Sequence, residues 1–443
     1  MRSRDAEYIT AIAEEHDVRF IRLWFTDVLG SLKNVAINVD ELEDALDEGV
    51  GFDGSSIQSF ARMDESDMIA MPDPNTFCLL PWRSRASSAV ARMFCDITLP
   101  DGSPYPGGPR FVLKQNLARA AAMGFTFYVG TEMEFFFFKD SQSTIVLDKG
   151  GYFDQTPMDL ASDLRRDAVD MLEKVGIGVE FSHHEVAPSQ HEMDLRYCDA
   201  PTMTDNAMTF RLVVKEVAMQ AGYYATFMPK PMSDQNGSGM HTHQSLFRGD
   251  DNAFFDADDP YHLSTVGKQY IAGLLRHAPE ITLLTNQWVN SYKRLVAGYE
   301  APVYLSWATK NRSDLIRVPM HKPGKERATR VEFRSPDSSC NPYLAFAAML
   351  GAGLEGIEKG YELSPPTDKN VSEMTPDERQ ELGIGTLPDN LHEAIKLAEN
   401  SDLLRRVIGD QLLEKLIENK KIEWDDYRRH VSDYELQRYL PIL

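Results

Sequence analysis

Lys230-Pro231-Met232-Ser233-Asp234-Gln235-Asn236-Gly237-Ser238-Gly239-Met240-His241-Thr242-His243-Gln244-Ser245 places a glycine-rich turn directly before a strand-like run. Glycine lets backbone approach a ligand closely. At a two-residue period His241, His243 and Ser245 point to one face of that strand. A turn suited to an anion or amino acid, beside imidazoles facing one way, reads as a ligand and metal site.

Upstream, Phe125–Phe138 (FTFYVGTEMEFFFF) is a strand too apolar to lie at the surface, yet it carries Glu132 and Glu134 on one face. Two acids side by side there repel and lose hydration, which is costly unless something cationic sits between them. Ser182-His183-His184-Glu185-Val186-Ala187-Pro188-Ser189-Gln190-His191-Glu192 adds two acids. Pro188 breaks any helix, so Glu185 and Glu192 read as loop residues. HExxH spacing is not met, which excludes a zinc-protease helix. Carboxylates with an imidazole suit magnesium or manganese better than zinc or copper. Thr329–Arg334 alternates, so Arg330, Glu332 and Arg334 face one way. Alone that is an exposed charged strand. It is also what phosphoryl chemistry requires, an acid for a metal and guanidiniums for oxygens. Arg294, Arg312 and Arg317 precede it, and so many arginines imply a site handling several negative charges. There is no GxxxxGK[ST] loop, no dinucleotide GxGxxG after a strand and no GxSxG elbow. If a nucleotide binds, its phosphates must be held by metal and arginine instead of a glycine loop.

At 443 residues more than one core is expected. A formal charge of −22 with no basic run argues against nucleic acid as a partner. No apolar run approaches the roughly 20 residues of a membrane helix, and the N-terminus reads as an amphipathic helix, not a signal peptide. The expected address is the cytoplasm. Four cysteines without CxxC spacing read as small buried residues. Val18–Phe25, Leu32–Ile37 and Val90–Ile97 are strand candidates, the first two joined by a hairpin at Asp27–Ser31. The proline- and glycine-dense stretch 100–109 marks a boundary, predicting domains 1–108 and 109–443. Beyond it, helix candidates near 110–123, 157–175, 203–221, 263–278, 341–359, 388–399 and 401–419 mix irregularly with strands. That order predicts an α+β fold.

Taken in sequence, these segments resemble the type I glutamine synthetase family over essentially the whole chain, in its short branch without adenylylation. The matching motifs are Phe52-Asp53-Gly54-Ser55-Ser56 with Asp64-Glu65-Ser66-Asp67, the Glu132/Glu134 strand, His183–Ala187, Asn236–His241, Asn290–Pro302, Asn311-Arg312-Ser313 and Arg330–Pro342. The resemblance implies a small β-grasp-like N-terminal domain and a large catalytic domain on a curved antiparallel sheet. It implies a dodecamer of two hexameric rings with shared active sites. The implied activity is an ATP-dependent ligase that activates the γ-carboxylate of L-glutamate as an acyl phosphate and transfers it to ammonia. A γ-glutamylpolyamine synthetase is the alternative, since Ile21–Asp27 and Ala225–Pro231 resemble that subgroup. An inactive relative is disfavoured because no metal or arginine position is missing.

Residue by residue, the resemblance puts Glu134, Glu185 and Glu192 around one divalent ion and Glu132, His241 and Glu332 around a second, with two or three Mg2+ or Mn2+ per site. Asn236, Gly237, Arg294 and Arg334 would hold glutamate. Arg312, Arg317, Arg330, Lys325, His243, Ser245 and Tyr197 would face ATP, with Arg312 and Arg317 also catalytic. Asp53, donated across a subunit interface with Ser56 nearby, would bind and deprotonate ammonium, and Glu300 would sit on a closing flap. Ser189 stands where the family often has glycine. If that position needs positive φ, the loop carrying Glu192 is expected to be slightly repositioned. Ser372 replaces the tyrosine that adenylylated members carry, and Arg62 lies where the feedback-inhibited branch has an arginine.

Overall fold

The structure is a computed structural model describing residues 2–57, 67–83, 88–298, 301–311, 313–367 and 369–443, with backbone alone for residues 2–6. Glu300, Arg312, Arg62 and the segment Asp64–Ser66 lie outside the described residues.

Apolar alternation builds a first sheet from β1 (Val18–Thr26), β2 (Leu32–Asn38), β3 (Val50–Asp53), β4 (Asp67–Pro72), β5 (Cys78–Leu79) and β6 (Ala89–Thr98). Its order is β2-β1-β6-β4-β3, with β5 on β6 and β1 parallel to β6. Ile21, Leu23, Ala91 and Met93 are fully buried in its core. The expected hairpin forms: Asp27 Oδ1 accepts Leu29 N at 3.0 Å and Ser31 N at 2.8 Å. Gly30 sits there at φ +78°, with room for no Cβ because Asn341 Cα lies 2.8 Å from where one would be.

The second sheet comprises β7 (Thr126–Phe138), β8 (Val179–His184), β9 (Gln190–Asp199), β10 (Tyr224–Thr226), β11 (Met240–Arg248), β12 (Asp251–Asn252), β13 (Trp307–Ala308), β14 (Ile316–Arg317) and β15 (Val331–Phe333). The order is β13-β14-β15-β11-β7-β9-β8, with β10 on β7 and β12 on β11. Every pairing but β13–β14 is antiparallel, and the sheet curls into a half-barrel. One face buries Phe127, Phe135 and Phe137 among helices that include Ala200–Gln220 and Pro342–Lys359. The other face carries the acids.

Three sequence expectations shift. The helix expected over 401–419 is two, Asp402–Ile408 and Asp410–Arg429, because Gly409 adopts φ +80° and breaks the ladder. The helix expected from 157 starts later, at Ser162. Glu192 is a strand residue in β9 and only Glu185 lies in a connection, because β8 ends at His184, Pro188 sits in the short turn that follows, and the backbone returns antiparallel from Gln190.

The two sheets are welded together at Arg110. Its guanidinium reaches Asp73 at 2.7 Å, Asp96 at 2.8 Å and buried Asp205 at 3.2 Å, while Tyr343 Oη donates to Asp205 at 2.6 Å. A second weld is Asn341, which caps the Pro342–Lys359 helix and donates to Val28 O at 3.1 Å. Arg110→Met leaves Asp205 buried with its principal countercharge gone. The expected cost is about 3–5 kcal/mol, read as a lower thermal unfolding midpoint; an unchanged midpoint would show that Asp205 does not depend on Arg110.

Candidate active site

Backbone pairing decides which charged side chains meet. His241 lies opposite Glu132 across β11 and β7, and Glu134 opposite Glu192 across β7 and β9. Glu192 in turn faces His183 on β8. On the other flank His243 lies opposite Glu332, and Glu332 opposite Arg317. Residues directly opposite in an antiparallel pair hold their Cβ atoms about 5 Å apart. Six strands therefore bring acids, imidazoles and an arginine from distant parts of the chain onto one surface.

Glu132 is gripped by both imidazoles, at 2.9 Å from His241 Nδ1 and 2.6 Å from His243 Nε2. Burial alone would push its carboxyl up, but these bonds outweigh burial and hold it well below the usual range. Glu332, fully buried, is bonded by Arg317 and Arg334. Burial opposes its ionisation as well, yet Arg334 first and then the imidazoles bring it down to about 2. Glu134 Oε2 accepts Gly239 N at 2.9 Å and Gln190 Nε2 at 3.1 Å. Glu192 has His183 beside it, at 3.2 Å. Burial, then repulsion from Glu134, Glu132, Glu185 and Asp194, raises its carboxyl well above the ordinary value. Asp194 is raised to about 7 by burial and the Glu132 charge.

A cavity of about 1040 Å³ opens over this surface and is lined by Glu132, Glu134, Glu185, Glu192, His241, Asn236, Gly237, Arg294, Arg317 and Arg334 among the expected residues. Glu332 lies beneath, bonded to two lining arginines. Ligand atoms of Glu132, His243 and Glu332 fall within 4.8 Å of one another, as do those of His183, Glu185 and Glu192. These are oxygen donors with imidazoles, crowded enough to repel. That donor set fits hard divalent cations. Arg334 Nε is buried without a hydrogen-bond partner among the described residues, a donor left for an anion.

Several expected residues are not cavity walls. Ser245 is buried on β11, Arg330 bonds His243 Nδ1 at 3.2 Å, Lys325 is exposed and Tyr197 is 62% exposed against Tyr128. Asp53 and Ser56 belong to the first sheet and the turn after it and do not line the cavity of their own chain. Conversely, Tyr152, Phe153, Phe181, His183, Gln190, Asp194 and Ser372 line it without having been assigned a role. Asp194 and Gln190 each stand two residues from Glu192 on β9, so the period-two signal that singled out Glu134 also marks them. Ser189 does take φ +61°, the left-handed region. Its strain is offset locally: its Oγ accepts Leu147 N at 2.6 Å and its N donates to Asp148 at 2.9 Å.

Comparison with known proteins points the same way. The sequence model described as "Glutamine synthetase, catalytic domain" matches residues 106–439, and "Glutamine synthetase, beta-Grasp domain" matches residues 17–100. The chain is 55% identical to "Glutamine synthetase" of Mycobacterium tuberculosis strain H37Rv over 99% of this chain and 100% of that one. It is 50% identical to that of Methanosarcina mazei, covering 99% and 98%. Among solved structures it superposes on "GmaS/ADP complex-Conformation 1" with TM-score 0.89 at 31% identity, covering 98% of this chain and 99% of that chain. It superposes on the Plasmodium falciparum glutamine synthetase with TM-score 0.88 at 25% identity, covering 99% and 98%.

Raised carboxyls at Glu192 and Asp194 mean that the folded protein keeps protons the unfolded chain has released. Stability contributed by those protons is lost as pH rises from the ordinary carboxylate range through about 7. In chelator the unfolding midpoint is expected to fall between about pH 4 and about pH 7, and saturating Mg2+ to remove most of that fall. A midpoint equally pH-dependent with and without Mg2+ would place the cations elsewhere.

Proposed function

This chain belongs to the glutamine synthetase family, and on that premise we propose that its acid-lined cavity is where glutamate, ATP and ammonia react. The chain is a glutamate–ammonia ligase that makes glutamine with ATP, and it works with divalent metal ions. The observation that carries the site assignment is the meeting of Glu132, Glu134, Glu185 and Glu192 with Arg294, Arg317 and Arg334 around one cavity.

The reaction explains that inventory. A γ-carboxylate resists attack because it is anionic and has no leaving group; phosphorylation by ATP supplies one. In this reading Glu134, Glu185 and Glu192 hold one Mg2+ or Mn2+, Glu132, His241 and Glu332 a second, and His183 and His243 stand as further donors. When bound, the ions spread the charge of the transferring phosphoryl group. Glutamate lies along Asn236 and Gly237, its carboxylates paired with Arg294 and Arg334. The Nε–H of Arg334, without a partner among the described residues, supports that placement, because a buried guanidinium donor without an acceptor is costly. Arg317, held by Glu332, faces the phosphoryl oxygens, with Arg312, Arg330, Lys325, His243, Ser245 and Tyr197 toward the nucleotide. Asp53 takes the ammonium proton, with Ser56 beside it, and Glu300 closes the site.

Asp53 and Ser56 stand outside their own chain's cavity, which supports active sites completed by a neighbouring subunit. Exposed Tyr434, Leu440 and Ile442 near the C-terminus supply apolar surface for such an assembly. We take that assembly to be a dodecamer, the two units to be residues 1–108 and 109–443, and the location to be the cytoplasm. Among the described residues no helix is long and apolar enough to cross a membrane.

Phosphate release from ATP should require glutamate, Mg2+ or Mn2+, and ammonium together. Release with putrescine, spermidine or ethanolamine but not ammonium would overturn the acceptor. Glu192→Gln should lower kcat/KM about 100-fold or more, since even groups behind a ligand cost 10–100-fold. Arg334→Ala should act chiefly through glutamate; an unchanged glutamate KM would remove it from the glutamate subsite.

A further inference from the structure

The proposed site uses Glu134 for a cation and the 236–237 turn for glutamate, and these are joined by a side chain to which neither role belongs. Gln190, 1% exposed, opens β9. Its carboxamide makes three bonds. Nε2 donates to Glu134 Oε2 at 3.1 Å and to Gly237 O at 3.0 Å, while Oε1 accepts Ala187 N at 3.2 Å. Its backbone ties the same hairpin: Gln190 N donates to Ala187 O at 3.0 Å, and Glu185 N donates to Gln190 O at 2.8 Å. One residue thus touches an acid of β7, the substrate turn, and the connection that carries Glu185.

The turn has little freedom of its own. A Cβ at Gly237 would strike Pro229 O, and Ser238 N donates to that same carbonyl at 2.8 Å. Glu134 Oε2 also accepts Gly239 N at 2.9 Å, so both ends of the 237–239 segment feel the state of one carboxylate. A carboxylate without a cation is the stronger acceptor and draws the amide toward itself. A cation held by Glu134 would weaken that pull and let the amide settle toward Gly237 O.

We propose that Gln190 is a positioning residue that couples cation binding at Glu134 to glutamate binding at the 236–237 turn. The proposal rests on the functional reading above for what each end binds. Two donors on one planar amide are needed: a methionine has the reach and neither donor, and a glutamate turns lone pairs toward two acceptors.

Isothermal titration of the full-length protein tests this, measuring glutamate affinity with and without saturating Mg2+ and Mg2+ affinity with and without glutamate. In the parent each ligand should tighten the other by one common factor, about fivefold or more, as linkage requires. In Gln190→Met that factor should fall to about one, with a cooperative unfolding transition confirming the fold. Gln190→Glu should give the same loss and serves if the methionine variant does not fold. A folded variant that keeps the parent's coupling factor overturns the proposal, as does a parent that binds both ligands without mutual effect. A parent that binds neither Mg2+ nor glutamate contradicts the functional reading instead. A merely structural residue would lower the unfolding midpoint and leave the coupling factor intact.

Discussion

Like charge held at close quarters on paired strands organises this molecule. Glu134 and Glu192 are directly opposite across β7 and β9, and Glu132 faces Asp194 in the same ladder. Their backbones are locked by hydrogen bonds and their other face by the aromatic core, so the carboxylates cannot move apart. What remains is to neutralise them. His241, His243, Arg317 and Arg334 do so on the Glu132–Glu332 side, and that side ionises readily. Around Glu192 the ion pairs among the described residues supply one imidazole and no guanidinium, and there burial and mutual repulsion push the Glu192 and Asp194 carboxyls up. In the proposed reading a divalent cation would offset that imbalance. On the other side Arg317 and Arg334, both paired with Glu332, are the arginines that the same reading sets toward the phosphoryl group and glutamate.

Such a surface needs a stiff support. The helix Pro342–Lys359 is buried along nearly its whole length, and Gly353 and Gly356 let it press directly against Tyr270 and the Gln269 carbonyl of a neighbouring helix. Its N-terminal cap, Asn341, is also the seat for the Asp27–Ser31 turn of the first sheet. The helix that backs the acids therefore also fixes the first sheet, through Tyr343 and Asp205 as well as through the cap. Preorganisation of this kind keeps ligand oxygens within a fraction of an ångström of their working positions. Among the described residues, the cavity-lining segments at 236–237, 297–298, 301–304, 311 and 313 are connections laid over that support.

Much of the architecture is legible in residue order. Alternation of Glu132 and Glu134 within an aromatic run, and of His241, His243 and Ser245 after a glycine turn, defines strands with one polar face wherever they are placed. Pro and Gly at 100–109 separate the first sheet's strands from the larger second sheet and its helices. Ser189 shows the limit: its identity raises the question of a left-handed backbone, but only Asp148 and Leu147, brought from some forty residues away, explain how a serine remains there.

Residue order alone thus dictates which side chains share a face, because that depends on a two-residue repeat internal to each strand. It does not dictate which faces become neighbours. Register between β7, β9, β11 and β15 decides that Glu132 meets two histidines while Glu192 meets mostly acids. Register is a relation between segments far apart in the chain, settled by the burial of the opposite face. Gln190 is inconspicuous in the chain for the same reason: its three bonds reach Glu134, Ala187 and Gly237, and only the closed sheet sets these within range of one amide.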